Sequence, residues 1–116
     1  MKIRFNKKSF SLDVKTVSPF GKFTGLMFKS RNTSNLLFKF HQNELCTIHS
    51  FFVFFPFLAI WLDKNNNVLE WNFIKPFTFA ITPKNSPVML IELPLNRKNL
   101  DIFSLFVDKK ETFKYL

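Results

Sequence analysis

The stretch FFVFFPFLAIWL, residues 51–62, contains no charged or polar side chain and decides the fold of this chain. A membrane-spanning helix needs about 20 apolar residues, whereas a shorter run is more often buried core. Pro56 interrupts the run, and Phe, Val, Ile and Trp favour strands over helices. We therefore predict a strand that is covered on both faces, and no transmembrane segment.

A hairpin is predicted directly after this stretch. Residues 63–67, DKNNN, are rich in turn-forming residues. The next segment, residues 67–74, alternates with period two and places Leu69, Trp71 and Phe73 opposite Val68, Glu70 and Asn72. The pattern predicts strand, turn and strand, with residues 51–62 as the central strand of a sheet.

Shorter signals along the chain predict more strands. Strands are expected at residues 9–17, 36–40 and 88–95, with turns at 18–21 and 41–44 and a short helix or turn at 26–29. The tail, residues 97–116, suits either a short helix or a final strand at FSLFV. The chain, residues 1–116, is therefore predicted to be a single mainly β domain, a compact β-sandwich or open barrel with one or two short helices.

Charge and cysteine content indicate which partners and which cellular compartment to expect for the protein. The formal net charge is +9, and Asp13 is the only acid before Arg31, so the basic amino-terminal region would attract a polyanion unless it is only a solvated surface. The single cysteine, Cys46, excludes an internal disulfide. Since the amino terminus lacks the apolar region of a signal peptide, we expect a cytoplasmic protein.

The order of these segments resembles a family of uncharacterised small proteins called domain of unknown function 192 (DUF 192), in its archaeal type. The resemblance covers residues 14–96 and rests on five segments in order: GLMF at 25–28, LFKF at 37–40, IHSFFVFFPF at 48–57, DKNNNVLE at 63–70 and VMLIELP at 88–94. It implies a mainly β, sandwich-like domain with one or two short helices and no established activity. The chain would be a divergent member.

Two polar positions of the family strand are apolar in this chain. The resemblance places Phe54 at a usual Arg and Leu58 at a usual Asp, while Asn96 replaces a glycine and a Gly-Asp pair near the carboxyl terminus is absent. Residues four apart in a strand share a face. We therefore expect Phe54 and Leu58 to fill one space in the core or to line an apolar groove, and Phe54→Arg to destabilise the domain. If it does not, the stretch is better interpreted as an interaction or membrane-contacting surface.

Five residues are candidates for a ligand site: His49, Glu92, Phe54, Leu58 and Met27. His49, beside the apolar run, either serves a ligand or pairs with a neighbouring backbone carbonyl. Glu92, inside an apolar strand, is either a carboxylate with a raised pKa in a cleft or the partner of a base such as Lys22 or Lys29. Met27 belongs to the family-like GLMF segment.

No pattern of catalytic or metal-binding residues is evident in the sequence. Cys46 and His49 are three apart and would point to opposite faces of a strand. His41, His49 and Cys46 fit no closed tetrahedral metal site, and neither a phosphate loop nor a GxSxG motif is present. We therefore expect no cofactor, no metal and no enzymatic activity.

We therefore expect the protein to be a non-enzymatic binding or interaction module for an unknown ligand or protein partner. One alternative is binding of single-stranded nucleic acid or another polyanion by the basic amino-terminal region, with Phe5, Phe10, Phe20 and Phe23 among its bases. Another is contact of the Phe-rich strand with a membrane surface or a protein.

Overall fold

Two β-sheets and a short helical tail make up the computed structural model, which describes residues 1–17, 25–41, 47–78 and 80–116. Within these residues the strands are β1 (Lys2–Phe5), β2 (Lys8–Ser11), β3 (Lys15–Thr16), β4 (Leu36–Lys39), β5 (Phe57–Leu62), β6 (Val68–Ile74) and β7 (Met89–Pro94). β1 and β2 form an antiparallel hairpin. The other five form one sheet in the order β3-β4-β7-β5-β6, in which only the β3–β4 pair is parallel. The mainly β prediction is confirmed.

β5 lies inside the larger sheet, between β7 and β6, and all six of its residues are buried. Its alternate residues enter two different cores: Leu58, Ile60 and Leu62 on one face, Phe57, Ala59 and Trp61 on the other. The prediction of a strand covered on both faces is therefore confirmed for Phe57–Leu62. It is wrong for residues 51–56, which form a turn before Pro56, because proline lacks the N–H that a ladder needs and restricts the residue before it.

The predicted hairpin turn at residues 63–67 is confirmed. The Asp63 carboxylate accepts hydrogen bonds from the backbone N–H groups of Asn65 (2.8 Å) and Asn67 (2.9 Å). These bonds to the ionised form, led by the one from Asn67, lower the pKa of Asp63. The side chain thus closes the turn that brings β6 antiparallel to β5.

The first face of the sheet is covered by the β1–β2 hairpin and the carboxyl-terminal helices. A 3-10 turn (Arg97–Asn99) leads into α1 (Leu100–Phe106) and α2 (Lys109–Phe113). Ile3 of β1 and Phe103 of α1 are fully buried in the core of this face. Of the two predictions for the tail, the helix is confirmed and the final strand is wrong. No described helix is long and apolar enough to cross a membrane.

Among the residues that the structure describes, turns rather than regular elements cover the second face. Leu26, Val53 and Phe55 are buried there, and an isolated bridge between Ile48 and Ile81 closes one side. Residues 25–28 form a turn, which was one of the two alternatives for the GLMF segment. These turns contribute apolar side chains inward and place their tips at the surface.

The amino-terminal alternation is confirmed, although the strand is interrupted. Leu12 is buried, Phe10 and Val14 are half-buried, and Ser11 and Lys15 are exposed, but β2 ends at Ser11 and β3 begins at Lys15. The predicted strands at 36–40 and 88–95 correspond to β4 and β7. The turns predicted at 18–21 and 41–44 fall wholly or largely outside the described residues.

Leu58→Ala is expected to lower the free energy of unfolding by about 2–5 kcal/mol, because it removes buried methyl groups and leaves a cavity. Leu58 is fully buried in the first core. Urea denaturation measures the change. The matched control is Leu105→Ala, at a residue 39% exposed in α1, which should change the stability by less than about 1 kcal/mol. Equal effects at the two positions would contradict the assignment of β5 to the core.

Candidate functional site

Four phenylalanines protrude together from the second face, and we call them the aromatic platform: Phe28, Phe52, Phe54 and Phe77. Their side chains are 69%, 47%, 62% and 48% exposed. Phe28 and Phe52 stack with ring centroids 5.0 Å apart. Phe77 meets Phe52 at 6.3 Å and Phe54 at 5.5 Å, in both cases edge to face. Four contiguous exposed rings are an unusual feature of a monomer surface and point to an interaction site.

The backbone of the platform is strained. Phe28, Phe52 and Phe77 have φ values of 60°, 58° and 58°, in the left-handed region. A bulky residue in this region is an outlier that costs on the order of 1–3 kcal/mol and persists only where its surroundings impose it. The three turns therefore hold their rings outward at an energetic cost. Strain of this kind is concentrated at functional sites.

Ser50 is the buried residue that joins two of these turns. Its hydroxyl donates to the carbonyl of Lys75 (2.7 Å) and accepts from the N–H of Thr78 (2.5 Å). Its carbonyl accepts from the N–H groups of Val53 (3.2 Å) and Phe77 (2.9 Å). The turn that carries Phe77 is therefore fastened to the turn that carries Phe52.

A further hydrogen bond attaches the third turn. The N–H of Phe28 donates to the carbonyl of Phe52 at 2.9 Å, and the N–H of Lys29 donates to the carbonyl of Leu26 at 3.1 Å. Leu26 is buried in the second core. The platform is thus anchored to the core beneath it and does not consist of independent loop tips.

Glu92 lies on β7 under the turn that leads to Phe28. It faces the second core between Leu36 of β4 and Ala59 of β5, and only 4% of it is exposed. Burial, with no countercharge among the described residues, raises the pKa of Glu92 to about 8, so the carboxyl is protonated at neutral pH. The sequence alternative of a carboxylate with a raised pKa agrees with this environment, whereas no ion pair to Lys29 is present.

Gly25 is required where it passes over Glu92. Its φ is +49°, and a Cβ at this position would lie 3.1 Å from Glu92 Oε1 and 3.5 Å from Phe38 Cζ. Both the backbone conformation and the close approach favour glycine. The GLMF segment and the LIELP strand, which are distant in sequence, therefore meet at this contact.

The other candidate residues are not brought together with Glu92. Leu58 belongs to the first core, on the opposite face of the sheet. His49 is exposed, and its Nδ1 accepts from the N–H of Phe51 at 3.1 Å, so it stabilises a local turn and does not pair with a carbonyl. Met27 is half-buried in the turn between Gly25 and Phe28. Cys46 and Lys22 lie outside the described residues.

Phe54 lies in the platform and not in the core. The shared face expected for Phe54 and Leu58 is wrong, because β5 begins at Phe57 and the period of two does not extend across Pro56. With 62% of its side chain exposed, Phe54 has room for a charged replacement. Phe54→Arg is therefore not expected to destabilise the domain, because Phe54 is a surface residue.

A basic cleft of about 470 Å³ lies at the hairpin between β1 and β2. Its lining residues are Arg4, Phe5, Asn6, Lys7, Lys8, Ser9, Asn67 and Val68, which include three bases and no acid. Asn6 and Lys7 both have positive φ, as a two-residue hairpin turn demands. Phe5 packs on Phe106 of α1 with centroids 4.6 Å apart, so the ring is engaged within the fold. The cleft suits anionic groups more than stacked bases.

Acidic groups are dispersed through the sheet. β5 separates Glu70 on β6 from Glu92 on β7, and Glu70 accepts from the N–H of Lys84 at 2.9 Å. In the part of the chain that the structure describes, no three His, Cys, Asp or Glu residues are grouped so as to hold a metal ion.

Comparison with known proteins identifies the fold. No family model and no curated protein matches the chain. A protein of unknown function from Novosphingobium aromaticivorans DSM 12444 is similar in structure, with a TM-score of 0.69 and 10% sequence identity over 87% of this chain and 75% of that one. A "putative transcription regulator" from Sinorhizobium meliloti 1021 is similar with a TM-score of 0.67 and 17% identity over 80% and 76%. At these identities the likeness shows the fold alone.

Sequence reasoning missed most of the platform. It identified Phe54 but not Phe28, Phe52, Phe77 or Ser50. The available signal was the position of Phe28 and Phe77 directly after turn-forming segments, GLM and KP, where a core strand would not continue. Nothing in the local pattern indicates that these turns adjoin.

Glu92→Gln is expected to stabilise the protein at neutral pH and to make its free energy of unfolding less dependent on pH. The pKa of Glu92 rises from 4.5 to about 8 on folding. The contribution of its protonated form to the free energy of unfolding is therefore fully present below pH 4.5 and is lost as the pH rises towards 8. The total loss is several kcal/mol, at about 1.4 kcal/mol per pH unit. Thermal melts between pH 4 and 9 measure this. Glu70→Gln is the control and should keep the slope, while an unchanged slope in Glu92→Gln would contradict the buried neutral carboxyl.

Proposed function

We propose that this protein is a non-enzymatic binding module and that the aromatic platform is its binding face. The observation that carries the proposal is the arrangement of four exposed phenylalanines, three of them at left-handed backbone positions. Backbone strain that holds rings in solvent lowers the stability of the fold, and such strain is concentrated at functional sites. The arrangement is what a preorganised apolar contact surface requires.

Aromatic side chains are effective contact residues for two physical reasons. They bury a large apolar area, and they lose little conformational freedom when they are already held in place. The ring contacts of 5.0–6.3 Å and the backbone hydrogen bonds that the Ser50 and Phe52 carbonyls accept hold these rings before any partner arrives. The platform therefore avoids much of the ordering cost of association.

We also propose that the chain is a divergent member of the DUF 192 family and that it acts in the cytoplasm. The five family-like segments and the mainly β fold support the membership. The contact of Gly25 with Glu92 adds to it, because it joins two of the segments that carry the resemblance. The single cysteine, which cannot form an internal disulfide, is compatible with a reducing compartment.

Loss of the platform is expected to weaken binding of the apolar dye bis-ANS by about fivefold or more, since two exposed rings are removed. The variant is Phe28→Asn with Phe54→Ser, where Asn tolerates the left-handed backbone of position 28. Dye fluorescence titrated against protein measures the affinity.

The matched control for this experiment is Phe113→Ser. Phe113 is 62% exposed, as Phe54 is, but lies on α2 away from the platform. It should leave the dye affinity nearly unchanged. If the double variant binds dye as tightly as the unaltered protein, the platform is not an accessible binding face and the proposal fails.

Polyanion binding is a second candidate, favoured by the basic cleft. Arg4, Lys7 and Lys8 line it without an acid, and the whole chain carries +9. The similarity to a protein described as a transcription regulator is compatible with a nucleic acid as the polyanion. Because Phe5 is packed on Phe106, phosphate contacts would provide most of this binding.

Arg4→Ser with Lys8→Ser is expected to weaken binding of single-stranded polyuridylate and to make its salt dependence shallower. Two lost phosphate contacts reduce the slope of log affinity against log salt by about 1.4. Fluorescence anisotropy over a salt series gives the slope. The control, Lys109→Ser with Lys110→Ser, removes the same charge from α2 and should keep it. Equal slopes in the two variants would show that binding depends on the net charge of the protein and not on the basic cleft.

A further inference from the structure

We infer that the partner of the aromatic platform is the surface of an anionic lipid bilayer, into which its rings insert. This inference rests on the proposed function, because it names the occupant of the same face. Three observations carry it: the protrusion of the rings, their location on adjoining turns, and the sign of the charges in the segments that carry them.

The rings protrude too far to form the floor of a groove. Phe28 and Phe54 expose 69% and 62% of their side chains. Protein and peptide partners are commonly received in grooves or at free strand edges. Protruding rings on turn tips suit the boundary between headgroups and acyl chains, where aromatic residues are enriched.

The turns are held as one unit, which insertion requires. Ser50 fastens the turn of Phe77 to that of Phe52, and the N–H of Phe28 bonds to the Phe52 carbonyl. The rings thus enter the bilayer together, and their apolar contributions add.

The three segments that carry the platform contain bases and no acid. Its three segments, residues 25–31, 47–56 and 75–78, carry Lys29, Arg31 and Lys75 and no Asp or Glu. Lys29 and Lys75 are exposed. Hydrogen bonding with Tyr115, together with the charge of Glu111, raises the pKa of Lys75, and Arg31 donates to the Tyr115 carbonyl at 2.9 Å. Bases close to an anionic leaflet are attracted to its negative surface potential.

These charges also weigh against two other occupants. A second copy of the chain would bring like charges together, since each carries +9. A single-stranded nucleic acid would need open ring faces for stacking, whereas Phe28 and Phe52 stack on each other and Phe77 packs against two rings. A lipid surface requires neither open ring faces nor a complementary copy.

Sedimentation with unilamellar vesicles tests the inference on the full chain. We expect binding to vesicles of phosphatidylcholine mixed with phosphatidylglycerol and little binding to phosphatidylcholine alone. Phe28→Asn with Phe54→Ser should lower the partition coefficient by about tenfold or more. Phe113→Ser should leave it unchanged. Arg4→Ser with Lys8→Ser shows how much of the binding belongs to the basic cleft.

Insertion is measured separately with tryptophan at the two equally exposed positions. Phe54→Trp should shift its emission to the blue on anionic vesicles and be quenched by lipids brominated on the acyl chain, whereas Phe113→Trp should show neither effect. Emission from the native tryptophans is subtracted with the unaltered protein.

Several outcomes overturn the inference, and they differ from failure of the proposed function. Absence of vesicle binding, or vesicle binding that survives loss of the platform, rejects the bilayer as its partner. Binding without quenching of Phe54→Trp does the same. Self-association that disappears in the platform variant assigns the face to a second copy. In each case, platform-dependent bis-ANS binding would still support a binding face, whereas loss of that dependence would reject both proposals.

Discussion

The burial of Phe57–Leu62 on both faces of the sheet is the constraint on which the rest of the structure depends. A strand with large apolar side chains on alternate sides needs two covering layers, and a chain of 116 residues has little material for them. The carboxyl-terminal helices and the β1–β2 hairpin supply one layer. In the described part of the chain, irregular turns supply the other, so this second layer places turn tips at the surface.

Those turn tips explain why the platform and the core cannot be separated. Leu26 and Val53 point into the second core, while Phe28 and Phe52, two residues and one residue away, point out. A turn that reverses direction so quickly needs unusual backbone angles, which are the left-handed values at Phe28 and Phe52. The same residues therefore close the core and display the rings.

Several elements were predictable from the sequence because their causes are local. Alternation identified β6, continuous apolar composition identified β5, and DKNNN identified the turn between them through an Asp side chain that bonds its own backbone. The raised pKa of Glu92 agrees with one of the two alternatives for this residue, although Glu92 lies in the core and not in a cleft.

The platform was not predictable because its causes are distant in the sequence. It depends on bonds between residues 24 and 28 positions apart, such as those from Phe28 to Phe52 and from Ser50 to Thr78. Phe54 was misplaced for a related reason, because the strand pattern was continued across a proline. A resemblance that aligned Phe54 with a strand position of other proteins reinforced that error.

The two tryptophans lie on opposite faces of the sheet. Trp61 is fully buried in the second core, 6.4 Å from Phe40, and Trp71 is 36% exposed against Phe106 of α1, at 5.7 Å. Each indole therefore senses a different covering layer, and their emission should separate into a blue and a red component. Unfolding followed by intrinsic fluorescence can then show whether the helical layer and the turn layer detach together or one after the other, without any added label.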